Sequence, residues 1–145
     1  MWRVLAIAIA LTVAAPIHGV WADDLTGSSR FLCAAVQATV CIEDGQCAAD
    51  VPWNLNIPDF VEVDLEMRQL ATTRASGENR TTPIEHLSRH DGTIVLHGFE
   101  RGRAFSFVID EESGRVSVSL VADGITLAIF GTCTPMTTAP DAASD

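Results

Sequence analysis

GTIVLHGFERGRAFSFVIDEESGRVSVSLVADGITLAIFGTC, residues Gly92 to Cys133, decides the fold. Apolar side chains recur at every second position: Ile94 and Leu96, then Phe105, Phe107 and Ile109, then Val116, Val118 and Leu120. A period of two marks a strand with one buried face. Polar corners separate the runs, at Glu100-Arg101-Gly102, at Glu111 to Gly114 and at Asp123-Gly124. Glycine in such a corner adopts the positive φ of a tight hairpin without steric cost. The stretch therefore predicts four successive antiparallel strands. The last, Ile125 to Gly131, is apolar on both parities, which predicts cover on both of its faces.

The same signals extend toward the N-terminus. Asp91-Gly92 is a two-residue hairpin signal, and Ile84 to His90 before it reads as a strand or a short helical turn. Asp59 to Leu65 alternates Val61, Val63 and Leu65 with Glu62, Asp64 and Glu66, so one face is buried and one is wet. Leu70 to Thr73 reads as a short return strand and Ala75 to Pro83 as a polar loop. Ala48 to Pro58 reads as an irregular loop around Trp53. Phe31 to Ile42 sets Ala34, Val36, Ala38, Val40 and Ile42 on one parity; its β-branched residues favour strand over helix.

The sum is an all-β chain of about eight strands. It forms an antiparallel up-and-down meander that rolls into a closed or nearly closed small barrel. Closure is expected to be weakest at Leu70 to Thr73. An outer-membrane barrel is disfavoured, because Glu62, Asp64, Arg103 and Arg115 are assigned to outward faces that lipid would require to be apolar.

Residues 1–22 have the layout of a cleaved secretory signal: Arg3, an apolar run from Val4 to Ala15, Pro16 and Gly19, then Val20-Trp21-Ala22. Residues 23–30 read as a flexible arm, 31–135 as a single β domain and 136–145 as a disordered tail. The chain has a formal charge of −10 and contains no lysine. Removing Arg3 with the signal makes it −11. Such a balance excludes nucleic acid as a natural partner, and no stable membrane insertion is expected once the signal is gone. Export to the periplasm or the medium is the expected placement.

Export also decides how the cysteines read. Cys33, Cys41, Cys47 and Cys133 are an even set in a secreted chain, hence disulfides rather than a metal site. Three pairings are possible. Cys41–Cys47 with Cys33–Cys133 is preferred: the first closes a tight turn, and the second ties the first strand to the last, as a rolled meander requires. Cys33–Cys41 with Cys47–Cys133 is the alternative.

The pieces FLCAAVQATVC-EDG-C, NIP-F-EVDL, ASGENRTTPI, GRAFSFVID and the closing FG-C-TP resemble an uncharacterised group of small exported proteins of Gram-negative bacteria. The resemblance spans about Phe31 to Pro135. It implies periplasmic or secreted placement and brings no catalytic residues with it.

Chemistry-bearing motifs are sparse. His86 and His90 share a face and, with Asp91 or His97, would be the candidate zinc ligands. The glutamate of an H-E-x-x-H motif is missing and Arg89 lies between them, so no metal or cofactor is assigned. No serine elbow is present, and no catalytic residue or enzymatic activity is expected. Trp53, Arg80, His86 and His90 remain as possible binding residues on loops. Trp53 is read first as a plug over one end of the core and second as an exposed anchor. The preferred function is a small binding protein for an apolar molecule held in the barrel. The alternative is an interaction or inhibitor module that meets another protein through the Cys41–Pro58 loop. An open interior, a filled interior with an apolar patch at Trp53, or a cleft beside the histidines distinguishes binding, interaction and catalysis.

Overall fold

The computed structural model describes residues 23–73, 76 and 79–136. The expected signal segment and nearly all of the expected tail lie outside these residues. The described chain is all-β, with ten strands in one antiparallel sheet. They are β1 (Arg30–Ile42), β2 (Cys47–Asp50), β3 (Phe60–Asp64), β4 (Gln69–Thr72), β5 (Thr81–Pro83), β6 (His86–His90), β7 (Thr93–Glu100), β8 (Arg103–Asp110), β9 (Arg115–Ala122) and β10 (Ile125–Pro135). A 3-10 turn spans Pro52–Leu55. The hydrogen-bonded order is β5-β4-β3-β1-β10-β9-β8-β7-β6, with β2 paired to β1.

The meander from β6 to β10 follows the sequence signals. Asp91-Gly92 and Arg101-Gly102 turn with positive φ at both residues, the geometry that matches strand twist in a two-residue hairpin. Beyond it, β10 returns beside β1, and Cys33 stands directly opposite Cys133 in that ladder. The two are bonded, as are Cys41 and Cys47 across the β1–β2 hairpin.

The sheet curls until its two ends meet in one segment of chain. β5 and β6 lie at opposite ends of the order, yet only Ile84 and Glu85 separate them. Ile84 N–H donates to the Arg68 carbonyl beside β4, and Glu85 N–H donates to the His97 carbonyl of β7. Thr81 to His90 thus leaves one edge and joins the other. Beside β5 the ladder to β7 is missing. There Gly98 comes so close to the Pro83 carbonyl and the Phe105 ring that a Cβ would meet both. The seam lies one strand beyond Leu70 to Thr73, because β4 is fully laddered to β3 and to β5.

Several expectations change. Ten strands replace about eight, because Thr81–Pro83 and Cys47–Asp50 form ladders where loops were read. The alternation of β1 breaks at a bulge between Ala35 and Gln37. A bulge inserts one unpaired residue and flips the faces after it. Phe31 and Cys33 point inward before it, and Ala38 after it, while Val36 is 67% exposed. Gly131 lies opposite the bulge, where a Cβ would strike the Ala34 carbonyl. The outer face of β10 is uncovered, with Phe130 exposed. The arm is not loose: Leu25 is wholly buried, its N–H donates to the Glu111 carbonyl, and Thr134 Oγ1 donates to Asp23.

The arm divides the barrel into two halves. At its end, Leu25, Phe31, Val63, Ile94, Leu96 and Ile109 pack with essentially no exposed surface. Toward the other end, Phe105, Phe107, Val118, Leu127 and Ile129 are buried but each keeps some exposed surface.

Candidate binding cavity

The looser half contains a cavity of about 110 Å³. Its existence follows from the size of the inward residues. β8 and β9 contribute Phe105, Phe107, Val116, Val118 and Leu120 to one wall. The rest of the lining mixes small side chains (Cys33 and Ala35 of β1, Gly131 of β10, Val61 of β3, Thr72 of β4 and Thr82 of β5) with Leu70 of β4 and Ile129 of β10. The β1 bulge lies next to the lining residues Ala34 and Ala35, and Asn56-Ile57-Pro58 runs along the border of the space.

The rim is polar. Arg80 and Thr72 are locked together, since Arg80 N–H donates to Thr72 Oγ1 at 2.9 Å and Thr72 N–H to the Arg80 carbonyl at 2.9 Å. The Arg80 guanidinium crosses the seam to Glu100, with Nε 3.4 Å from Oε1. Glu100 and Arg103 face each other across the β7–β8 hairpin. Arg103 has no ion pair or side-chain hydrogen bond among the described residues. Among the described residues the charged groups of the rim are Arg80, Arg103 and Glu100, on a chain whose formal charge is −10.

Arg103 was expected on an outward face. It has the parity of Phe105 and Phe107 on β8, is half-buried and lines the cavity. Glu100 has the parity of Ile94 and Leu96 on β7. Both were legible from alternation but stand next to turn residues, where charge suggests solvent. Of the candidate binding residues only Arg80 borders the cavity.

The others lie apart from it. Trp53 is 69% exposed on the 3-10 turn, so it is not a plug; Pro52 and Ile57 are the buried residues of that segment. His86 stands opposite His97 in the β6–β7 ladder, and His90 Nε2 lies 2.9 Å from Asp91 at the exposed end of β6. Four residues of strand rise about 13 Å, so His86 and His90 share a face without sharing a ligand. Among the described residues no three His, Cys, Asp or Glu side chains are grouped to hold a metal.

Among the same residues no helix is long and apolar enough to cross a membrane. Comparison with protein-family models, curated proteins and solved structures gave no match.

Proposed function

We propose that the protein is a small exported binding protein whose barrel holds a small apolar molecule. The observation that carries this reading is the unfilled space between Phe105, Phe107, Val116 and Val118 on one side and the small residues of β1, β4 and β10 on the other. Ligand sites are concave and mostly apolar, with a few placed polar groups, and a space of this size suits one ring or a short acyl chain. Two disulfides support placement in an oxidising compartment. The binding role needs no reacting group, and the cavity lining offers no nucleophile beside a base.

Benzene titration followed by methyl NMR tests the reading. Benzene should shift the methyls of Val116, Val118, Leu120 and Ile129 and leave those of Ile94 and Leu96 unmoved. Val118→Phe, which fills the space, should abolish the shifts. Native methyls that stay still at saturating benzene would overturn the proposal.

The interaction-module reading keeps one observation in its favour, the exposure of Trp53 on the 3-10 turn that follows β2. It predicts that Trp53→Ala removes a partner copurified from the native source, while benzene binding is unchanged.

A further inference from the structure

Resting on the apolar-cavity reading, we infer that the ligand is a small amphiphilic monocarboxylate. Its tail lies against Phe105, Phe107 and Val118, and its carboxylate meets the guanidinium of Arg103 at the mouth. Three observations converge on this class. The wall is mostly apolar, broken by Thr72 and Thr82, so a ligand polar throughout would lose hydration without recovering it. The charged groups of the lining, Arg80, Glu100 and Arg103, lie together, so the ligand's charged group belongs at one end. At that rim Arg103 has no ionic partner among the described residues, while the Arg80 guanidinium is held toward Glu100.

The sign and size of the charge follow from the same residues. A cationic head would meet two arginines. A dianion such as a phosphate monoester would face Glu100 across the hairpin from Arg103. A neutral head would leave the guanidinium unanswered. One carboxylate answers the Arg103 guanidinium, and its two oxygens match the planar fork of arginine. The rim is also an exception on an acidic chain. The chain has nine arginines and no lysine, and two of those arginines border this one space. A general need for solubility would not gather them at the mouth of an apolar cavity.

Three probes of equal tail length separate the head from the tail: hexanoate, hexanol and hexylamine, each titrated into the whole protein by methyl NMR at pH 7. Hexanoate should bind at least tenfold more tightly than hexanol, and hexylamine most weakly. Arg103→Gln should bring hexanoate down to the level of hexanol and leave hexanol within twofold of its original affinity. Arg103→Lys, which keeps the charge and loses the fork, should retain an intermediate preference. Equal binding of hexanoate and hexanol to the native protein would overturn the carboxylate assignment and leave the apolar cavity standing. Loss of both ligands in Arg103→Gln, with hexanoate preference also absent in Arg103→Lys, would make Arg103 a packing residue and overturn it as well. Failure of all three probes to move the cavity methyls would overturn the cavity reading itself.

Discussion

The two ends of this barrel use similar parts for opposite purposes. Each has an arginine–glutamate pair. At the end covered by the arm, Arg89 lies 2.7 Å from Glu111 and also donates to the Ser28 carbonyl, while the Glu111 carbonyl accepts from Leu25. That pair latches a segment of chain over the core. At the other end, Arg80 and Glu100 meet at 3.4 Å across a seam with no β5–β7 ladder, and the space beneath stays unfilled. The Cys33–Cys133 bridge is buried, whereas Cys47 of the other bridge is exposed. The arm end is thus closed by a buried leucine and an ion pair, while the other end keeps an unfilled space.

The bridges should show the largest contrast. Cys33 and Cys133 are 100 residues apart, and on the loop-entropy model their bridge removes about 4–5 kcal/mol of unfolded-state freedom; the six-residue separation of Cys41 and Cys47 gives about 2–3 kcal/mol. Replacing each pair by alanine and comparing urea midpoints should reproduce that order. Mild reductant followed by alkylation and mass mapping should label Cys41 and Cys47 well before Cys33 and Cys133. Labelling of the buried pair first would contradict a rigid covered end.

Packing should differ next. Leu25→Ala removes a side chain with no exposed surface and leaves a void under the arm, at a cost of about 3 kcal/mol. For a chain of this size that is a fall in Tm of roughly 10–15 °C. Val118→Ala only widens a space that already exists and should cost about 1 kcal/mol. Calorimetry of the two variants decides it. Equal losses would mean that both halves are packed alike.

How legible this asymmetry was in the sequence depends on the distance from an irregularity. The strands and turns of the β7–β10 meander were legible, since alternation and glycine corners agree there, but the uncovered outer face of β10 and the facing of Arg103 were not. β1 was legible as a strand but not in its facing, because a bulge at Val36 leaves no mark in an apolar run. β5 was hidden because Thr81-Thr82-Pro83 is polar and short; its ladder comes from β4 beside it rather than from its own propensity. The arm read as loose from its small polar residues, and one leucine overrides that composition by finding a hole to fill. The cavity was foreseen as a class of outcome, yet its rim was missed. Glu100 and Arg103 obey the inward parity of their strands, but a charge next to a turn is ordinarily a solvated one.

The smallest expected effect concerns acid, and it too belongs to the covered end. Asp110 closes the β8–β9 turn, accepting from the Ser113 N–H at 2.8 Å and from Ser113 Oγ at 2.6 Å. Those side-chain and backbone hydrogen bonds, with Arg115 nearby, hold its carboxyl below the ordinary value of 3.8. Asp24, in the arm, is lowered in the same way by the side-chain and backbone bonds of Thr26. A carboxyl with a depressed folded pKa binds its proton more readily in the unfolded chain. Its stabilisation is complete above 3.8 and disappears as pH falls through the lower folded value. Asp110→Asn combined with Asp24→Asn should therefore lower the urea midpoint slightly at pH 7. The gap to the native protein should narrow as pH falls below 3.8, because the native carboxyls become neutral there as well. Both residues are fully exposed, so solvent screening keeps the effect small. A gap that widens in acid would mean that the two turns are held by something other than the ionised carboxylates. The latch at the arm would then rest on Leu25 and Arg89 alone.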